Sequence, residues 1–455
     1  MKTKLFGSSG LRSVVNVGLT PVLATKIGVA LTTFSKARKV LVGRDTRVSG
    51  LMIEDALVSG LLSGGANVEC IGIVPTPVLA YLTMELRADV GVMITASHNP
   101  PKYNGVKIFN NESLAYNEKS QDSIEEIIKN EKFRMVDWKD IGQVSSIEND
   151  FLYIETIQKK VELNKEWSVI VDPGCGATFS LAPTVLKKIG CKVLALNAQP
   201  DGFFPGRSPE PNLESLKILV QIVKDSEVDL GVAFDGDGDR VAFVDEQGVF
   251  VDFDRVLAAY AAHVIEKNSG GIVVTNVEAS MCIENMVEAQ GGKVVRTKVG
   301  DVHVAEELRK SNAIFGGEPC GAWIHPQFHY CPDGVYSSIL LLKALEDEDI
   351  NLSRFVSRTP QFYTLRENIT CKNEVKHKFM KRIKDALISF FSSYRQISTV
   401  DGVRLSLRDG WILVRASGTE PLIRLTVEGE SSKGAEEIMK KGSALIKDVI
   451  EEIEK

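Results

Sequence analysis

No uninterrupted apolar run in the sequence is long enough to span a lipid bilayer, and no segment has low complexity. The first residues, Met-Lys-Thr-Lys-Leu-Phe-Gly, lack the apolar core of a signal peptide. None of the seven cysteines forms a C-x-x-C pair, a distribution typical of reduced thiols in a cytoplasmic protein. The net charge of −6 argues against general nucleic-acid binding, which needs a basic surface. We therefore expect a cytoplasmic globular protein without membrane or nucleic-acid partners, whereas its oligomeric state does not follow from the sequence.

The chain of 455 residues is long enough for about two to four domains. Apolar strand segments alternate with helical patterns in three successive repeats up to about Asp349, which predicts three related α/β domains. The pattern then changes to hairpin signals and two helices, which predicts a C-terminal α+β domain. We place the domains at residues 1–148, 149–250, 251–357 and 358–455.

In each predicted α/β domain, one strand ends in a polar loop. The three strand and loop pairs are Val90–Ile94 with Thr95–Pro100, Leu230–Phe234 with Asp235–Arg240, and Ala313–Phe315 with Gly316–Gly321. Ligands of open α/β sheets bind at the carboxyl ends of strands. Because the three strands are equivalent in the repeat, all three loops can face one cleft if the domains pack around it.

The first of these loops reads Thr-Ala-Ser-His-Asn-Pro and places Ser97 on a tight turn. Pro100 and Pro101 remove backbone donors and disfavour a helix there. The Ser97 hydroxyl could carry a phosphate or act as a nucleophile, or it could only stabilise the turn. Lys107 lies ten residues later and could return beside the serine, or it could be a surface lysine.

The second loop alternates three aspartates, Asp235, Asp237 and Asp239, with glycine. Carboxylates this close repel one another unless a cation lies among them, and oxygen ligands suit Mg²⁺ or Ca²⁺. A solvated acidic turn is the alternative. The adjacent Arg240 could pair with a phosphate or with Asp239.

Two further loops could bind a sugar phosphate. In the third domain, Glu318 could accept hydrogen bonds from sugar hydroxyls, whereas Cys320 has no basic neighbour in sequence that would activate its thiol. In the C-terminal domain, Arg415-Ala-Ser-Gly-Thr offers hydroxyls and backbone N–H groups to a phosphate, and Arg424 follows. A plain turn is the alternative there.

These motifs resemble those of the α-D-phosphohexomutase superfamily, in the same order along nearly the whole chain. The matching segments are Thr95–Pro100, Asp235–Arg240, Gly317–Gly321 and Arg415–Arg424, with further similarity at Phe6–Arg12 and at Gly43-Arg44-Asp45-Thr46-Arg47. The branch with the closest resemblance contains archaeal-type phosphomannomutase/phosphoglucomutase and phosphoglucosamine mutase. The resemblance implies three α/β domains and a C-terminal α+β domain around a central cleft.

The resemblance also implies an isomerase that moves a phosphoryl group between C1 and C6 of a hexose phosphate through a hexose 1,6-bisphosphate. Ser97 would carry the phosphate, and it would bind one Mg²⁺ per chain together with Asp235, Asp237 and Asp239. Other residues would contact the reacting centre or the substrate. They are Arg12, Lys107 and Arg240 at the reacting centre, with Lys107 as a candidate acid/base, Glu318 and Cys320 at the sugar, and Arg415, Ser417, Gly418, Thr419 and Arg424 at the substrate phosphate.

The chain departs from the family pattern at Cys320, where the sugar loop usually has serine. The missing hydroxyl leaves the sugar open among mannose, glucose and glucosamine. Two other functions remain as alternatives: a metal-dependent sugar-phosphate phosphatase with Ser97 as nucleophile, and a non-catalytic sugar-phosphate binding protein.

Overall fold

The computed structural model describes residues 4–7, 9–147, 150–417 and 421–454. These residues form two compact units. The larger unit runs up to Phe253 and includes Gly300–Arg358, and the smaller unit contains Asp254–Val299 and the residues from Thr359 onward. In the part of the chain that the structure describes, every helix is too short or too polar to cross a lipid bilayer.

The N-terminal part of the larger unit contains one mixed sheet and its helices. Its elements are β1 (Phe6–Gly7), β2 (Gly10–Val14), α1 (Pro21–Ser35), β3 (Lys39–Arg44), α2 (Gly50–Ser63), β4 (Asn67–Ile73), α3 (Thr76–Glu85), β5 (Val90–Ile94), β6 (Tyr103–Asn110), α4 (Glu118–Asn130), a 3₁₀ helix (Trp138–Asp140) and β7 (Val144–Ser146). The sheet order is β1-β2-β6-β5-β3-β4-β7. All five residues of β5 are buried, as expected for an apolar strand covered on both faces. Because β6 runs antiparallel to β5, Lys107 lies opposite Met93.

The next part of the larger unit is built around a second sheet. Its elements are α5 (Asp150–Lys160), β8 (Ser168–Asp172), α6 (Leu181–Lys188), β9 (Lys192–Ala195), α7 (Lys217–Lys224), β10 (Leu230–Phe234) and β11 (Val241–Asp245). The sheet order is β11-β10-β8-β9. Strand β10 is parallel to β8 and antiparallel to β11, with Phe234 opposite Val241. The three aspartates therefore lie on the hairpin loop between β10 and β11.

The third part of the chain contributes elements to both units. They are α8 (Phe253–Lys267), β12 (Ile272–Asn276), α9 (Cys282–Ala289), β13 (Lys293–Thr297), α10 (Asp301–Ser311), β14 (Phe315–Glu318), β15 (Ala322–Ile324), α11 (Gly334–Glu348) and α12 (Leu352–Ser357). In the smaller unit, β12 pairs in parallel with β13. In the larger unit, β14 and β15 form an antiparallel hairpin.

The strand predicted at Ala313–Phe315 is wrong in its bounds, because β14 runs from Phe315 to Glu318. Gly316 and Gly317 read as loop residues, yet their backbones pair with Ile324 and Trp323. A Cβ on Gly316 would lie 2.9 Å from a methyl group of Leu308, so the strand packs closely on α10 only because it lacks a side chain. Glu318 is consequently the last strand residue rather than part of a free loop.

The C-terminal part of the smaller unit is an antiparallel sheet with two long helices. Its elements are β16 (Tyr363–Thr370), α13 (Asn373–Phe390), β17 (Gln396–Ser398), β18 (Val403–Ser406), β19 (Gly410–Ala416), β20 (Leu422–Gly429) and α14 (Ser432–Glu454). The sheet order is β16-β20-β19-β18-β17. This arrangement and the three preceding α/β parts confirm the predicted fold class.

Within the smaller unit, the segment around β12 packs on the C-terminal sheet. Val277 lies in a buried apolar cluster with Trp411 and Leu413. Arg404 is buried and donates a hydrogen bond of 2.7 Å to the Val277 carbonyl oxygen. These contacts explain why Asp254–Val299 belongs to the smaller unit, and the domain boundaries at 251–357 and 358–455 stay a prediction.

Candidate active site

Ser97 lies on a strained turn directly after β5. Its φ is 51°, a left-handed conformation that residues other than glycine rarely adopt. Its Oγ donates a 2.6 Å hydrogen bond to Oδ2 of Asp235 and lies 3.1 Å from Nδ1 of His98. Burial and then the charges of Arg240 and Arg12 lower the pKa of His98 to about 2, so the ring beside the hydroxyl is neutral.

The Ser97 turn and the aspartate loop are in direct contact. A Cβ on Gly236 would lie 2.5 Å from the Ser97 carbonyl oxygen, which is closer than carbon and oxygen atoms can approach. Gly236 therefore allows the two backbones to meet. Two of the three loops that the sequence suggested for one cleft are thus in contact.

The three aspartates form one buried cluster. One carboxylate oxygen from each of Asp235, Asp237 and Asp239 lies within 4.8 Å of the others. Among the described residues, Oδ1 of Asp237 is buried and has no hydrogen-bond partner. Burial, and then the charges of Asp239 and Asp237, raise the pKa of Asp235 because three negative charges there repel one another. A hard cation would relieve this repulsion and supply the partner that Oδ1 lacks, so the residues fit a metal site.

Lys107 is buried against the same cluster and is not the surface lysine of the alternative prediction. Its Nζ donates a 2.8 Å hydrogen bond to Oδ2 of Asp237 and a short one to Oδ2 of Asp239. Burial disfavours its charge, but the two carboxylates outweigh burial and raise the pKa of Lys107. Thr76 also donates to Asp237, at 2.5 Å. The lysine thus neutralises part of the charge of the aspartates from a strand far away in sequence.

Two arginines predicted at the reacting centre lie beside these loops. Arg12 is half-buried on β2 and donates from Nη1 to Oδ1 of Asn99 at 3.3 Å. Its Nε is buried without a hydrogen-bond partner in the described chain. The backbone N–H of Arg240 donates to Oδ1 of Asp235 at 3.2 Å. Both guanidinium groups add positive charge around His98 and Ser97.

The Glu318 loop is fastened to the strand that follows the aspartates. Gly321 has a φ of 84° and its carbonyl oxygen accepts a 3.0 Å hydrogen bond from the Val241 N–H. Glu318 is buried and accepts a 2.8 Å hydrogen bond from the Gly300 N–H. Desolvation raises the pKa of the Cys320 thiol to about 12, against the opposing charge of Arg240. This value fits the interpretation that Cys320 is not an activated nucleophile.

The predicted phosphate loop is in the smaller unit. Arg415 pairs with Glu278 through a short hydrogen bond and with Asp401 at 2.7 Å. Arg424 lies directly opposite Arg415 on the neighbouring strand. Ser417 is buried, and its carbonyl oxygen accepts a 2.7 Å hydrogen bond from Lys376. Gly418 and Thr419 lie outside the described residues.

Thr76 and His98 contact the site although neither was predicted as a site residue. His98 is adjacent to Ser97 in the same motif, which was the available signal. Thr76 begins α3 after the end of β4, and its backbone N–H donates to the Asp237 carbonyl oxygen at 2.8 Å. The only sequence signal for Thr76 as a site residue was its position after the carboxyl end of a strand, where ligands of α/β sheets bind.

The chain is similar to known proteins along nearly its whole length. Four families match in succession: "Phosphoglucomutase/phosphomannomutase, alpha/beta/alpha domain I" over residues 3–135, domain II over residues 151–248, domain III over residues 252–363, and the C-terminal domain over residues 367–442. A probable phosphoglucosamine mutase of Pyrococcus abyssi is 43% identical over 447 residues, which are 98% of both chains.

Two further proteins extend the similarity. The phosphoglucosamine mutase of Methanocaldococcus jannaschii is 42% identical over 455 residues, 98% of this chain and 99% of that protein. A crystal structure of a phosphoglucomutase/phosphomannomutase family protein from Burkholderia thailandensis has a TM-score of 0.88 and 28% identity, and the match covers 98% of this chain and 97% of that one. We conclude that the chain belongs to the α-D-phosphohexomutase superfamily and is a phosphohexomutase, an isomerase.

Proposed function

We propose that this phosphohexomutase transfers a phosphoryl group between the C1 and C6 oxygens of a hexose phosphate with Ser97 as the phosphate carrier. One observation carries the assignment of the carrier. The Ser97 Oγ lies 2.6 Å from Asp235 within a buried cluster of three carboxylates, one of which has an oxygen without a hydrogen-bond partner among the described residues. A turn-stabilising serine needs no such surroundings.

The proposed sugar is glucosamine, so that the enzyme would interconvert glucosamine 6-phosphate and glucosamine 1-phosphate. Relatives at 43% and 42% identity over almost the whole chain are named phosphoglucosamine mutases, which supports this choice. Cys320 is the residue of the sugar loop that departs from the family pattern. Its neutral thiol is a weak hydrogen-bond donor beside Glu318, whose carboxylate would accept hydrogen bonds from sugar hydroxyl or amino groups.

The proposed reaction has two phosphoryl transfers. In the first, the bond between the Ser97 Oγ and phosphorus breaks as a bond forms to a sugar hydroxyl oxygen, and the hydroxyl loses its proton. The product is a hexose 1,6-bisphosphate, which turns over and returns its other phosphate to Ser97. We assign the proton exchange to Lys107, which the two carboxylates keep protonated: its ammonium group donates a proton to the departing Ser97 Oγ and then recovers one from the sugar hydroxyl. We assign to Arg12 and Arg240 the stabilisation of the negative charge on the transferring group.

Asp235, Asp237 and Asp239, together with a phosphate on Ser97, would hold one Mg²⁺ per chain. When bound, the ion would neutralise charge on the phosphoryl group and orient it for transfer. The buried carboxylates and the unpartnered Oδ1 of Asp237 support this assignment. Lys107 stabilises Asp237 and Asp239 from the other side and would stay within reach of the reacting oxygens.

Arg415, Ser417, Gly418, Thr419 and Arg424 are proposed to hold the phosphate that does not react. Two arginines directly opposite each other on β19 and β20 concentrate positive charge on one strand pair, which favours a phosphate dianion. Arg415 pairs with Glu278 and Asp401, and a phosphate dianion would compete with these carboxylates for its guanidinium group. We also propose a cytoplasmic location, which the seven free cysteines support.

A coupled assay with three substrates tests the function. Purified protein with Mg²⁺ and a trace of hexose 1,6-bisphosphate is given glucosamine 6-phosphate, glucose 1-phosphate or mannose 1-phosphate, and isomer and inorganic phosphate are both measured. We expect isomerisation, with the highest kcat/KM for glucosamine 6-phosphate. Release of inorganic phosphate without isomer would show a phosphatase. Cys320→Ser is the matched variant for specificity, since a change in the ranking of the sugars would assign that ranking to the thiol.

A further inference from the structure

The backbone of the Ser97 loop is held by one buried arginine, Arg47. Its guanidinium group donates to the carbonyl oxygens of Ser97 at 2.8 Å and Asn99 at 2.6 Å. It also donates to the carbonyl oxygens of Pro100 at 2.8 Å and Tyr103 at 2.9 Å. With a fifth hydrogen bond to Asp45, every N–H of the guanidinium group is used.

A second chain of hydrogen bonds runs from the same ion pair to the other side of Ser97. Asp45 accepts from Nε of Arg47 at 3.0 Å and from the Thr95 hydroxyl at 2.6 Å. The Thr95 hydroxyl oxygen in turn accepts from the backbone N–H of Ser97 at 2.8 Å. Both the N–H and the carbonyl group of Ser97 are therefore tied to Asp45 and Arg47.

The Ser97 turn needs such support because its backbone is strained. A left-handed conformation costs a non-glycine residue about 1–2 kcal/mol and persists only where the surroundings impose it. If the ties were lost, Ser97 would relax toward a common conformation. Its Oγ would then leave Asp235, to which it donates at 2.6 Å.

We propose that Arg47, Asp45 and Thr95 act as positioning residues that hold the phosphate-carrying serine in its reactive geometry. The proposal rests on the proposed role of Ser97 as carrier. Arg44, three residues before Arg47, offers a comparison because its hydrogen bonds go elsewhere. Its Nε pairs with Glu54 on α2 at 2.6 Å, and no hydrogen bond from it to the Ser97 loop is present among the described residues.

The second α/β part uses the same arrangement for the aspartate loop. Strand β8 is the equivalent of β3 in the second repeat, and it ends at Asp172. The Asp172 carboxylate accepts a 2.9 Å hydrogen bond from Nε of the buried Arg207. Arg207 also donates at 2.6 Å to the carbonyl oxygen of Phe234, the residue directly before Asp235. A buried Asp–Arg pair thus fastens the functional loop in each of the two repeats.

Arg47→Lys tests the proposal, because lysine keeps the charge but has three N–H donors instead of five. We expect kcat for isomerisation to fall by about 10²-fold, the effect of misplacing a reacting atom by roughly an ångström. KM for the hexose phosphate should stay within about threefold, since the substrate contacts are elsewhere. The rate at which hexose 1,6-bisphosphate phosphorylates Ser97, followed by intact mass, should fall in parallel. All assays are run well below the Tm of each variant.

Two matched arginine variants separate positioning from stability. Arg44→Lys removes a structural ion pair in the same segment and should keep kcat within about threefold at a comparable loss of Tm. Arg207→Lys should instead weaken Mg²⁺ binding by about 10-fold or more, measured by calorimetry, because it loosens the aspartate loop. Equal losses of kcat in Arg44→Lys and Arg47→Lys at equal Tm would overturn the proposal.

If Arg47→Lys does not fold, Thr95→Val and Thr95→Ser test the positioning role instead. Valine removes only the hydroxyl between Asp45 and Ser97 and should lower kcat by about 10-fold or more, while serine restores it. Full kcat in Thr95→Val overturns the positioning role. Ser97→Ala distinguishes the two proposals: activity in Ser97→Ala contradicts the carrier, whereas an inactive Ser97→Ala with a fully active Arg47→Lys contradicts only the positioning.

Discussion

The Ser97 site in the larger unit and the Arg415 loop in the smaller unit are stabilised in different ways. Around Ser97 the polar groups are buried and bonded to one another, and the backbone is held in a strained conformation. Arg415 lies in partly exposed ion pairs, with 18% of its own side chain and 26% of the Glu278 side chain exposed. Buried networks fix geometry, whereas partly exposed ion pairs exchange partners at little cost. The difference fits the proposed roles of the two regions, with a rigid reacting centre at Ser97 and a phosphate-binding loop at Arg415 that must accept and release its ligand.

The largest expected effect comes from a substitution of the proposed carrier in the Ser97 site. Ser97→Ala should lower kcat by at least about 10³-fold, because it removes the hydroxyl group that we propose as the phosphate carrier. Intact-mass measurement should show a phosphate adduct on the purified parent protein and no such adduct on Ser97→Ala. Mutase activity at the wild-type level in this variant would show that the carrier is another residue.

The next effect concerns the buried aspartates. Asp237→Asn should lower kcat by about 10²-fold or more, since it removes charge from the cluster and a partner from Lys107. EDTA should abolish activity in the parent protein and Mg²⁺ should restore it. Asp229→Asn, at a partly exposed ion pair with Lys165, is the control and should leave the Mg²⁺ response unchanged. Undiminished turnover in chelator would contradict the metal site.

The Arg415 loop should act on binding rather than on chemistry. Arg415→Ala should weaken the binding of both the 1-phosphate and the 6-phosphate by about 1.5–3 kcal/mol, the range for hydrogen bonds to a charged group. We expect KM to rise in both reaction directions while phosphorylation of Ser97 survives. Arg408→Ala removes an exposed arginine from the same unit and serves as the control. A rise of KM in only one reaction direction would mean that the loop binds the phosphate at only one end of the hexose.

The smallest effect tests the ion pairs themselves. Glu278→Gln removes a carboxylate that competes with phosphate for Arg415. Because partly exposed pairs contribute about 0–1 kcal/mol, KM should fall by no more than about fivefold, with kcat unchanged. A large rise in KM would show instead that Glu278 is needed to hold Arg415 in its binding position.

Several residues of the candidate site could be predicted because they occur in short contiguous sequence motifs. Ser97 and the three aspartates each follow an apolar strand, and the structure places them at the ends of β5 and β10. The Gly316-Gly317 segment was misread because glycines usually mark loops, whereas here an antiparallel strand needs them for close packing. The sequence suggested only that Lys107 could return beside the serine, whereas the structure pairs it with two of the aspartates.

The sequence by itself determined the residue types of the reacting centre and the strands that carry them, because strand periodicity and loop chemistry are local properties. Only the tertiary structure decided which distant groups complete the site. Lys107 contacts Asp237 across 130 residues of sequence, and Arg47 bonds to the Ser97 carbonyl oxygen across 50. Such contacts depend on strand pairing and burial, which bring together groups that no short motif contains. Burial also decides how strongly these charges interact, because the same lysine and aspartate exposed to water would attract each other only weakly.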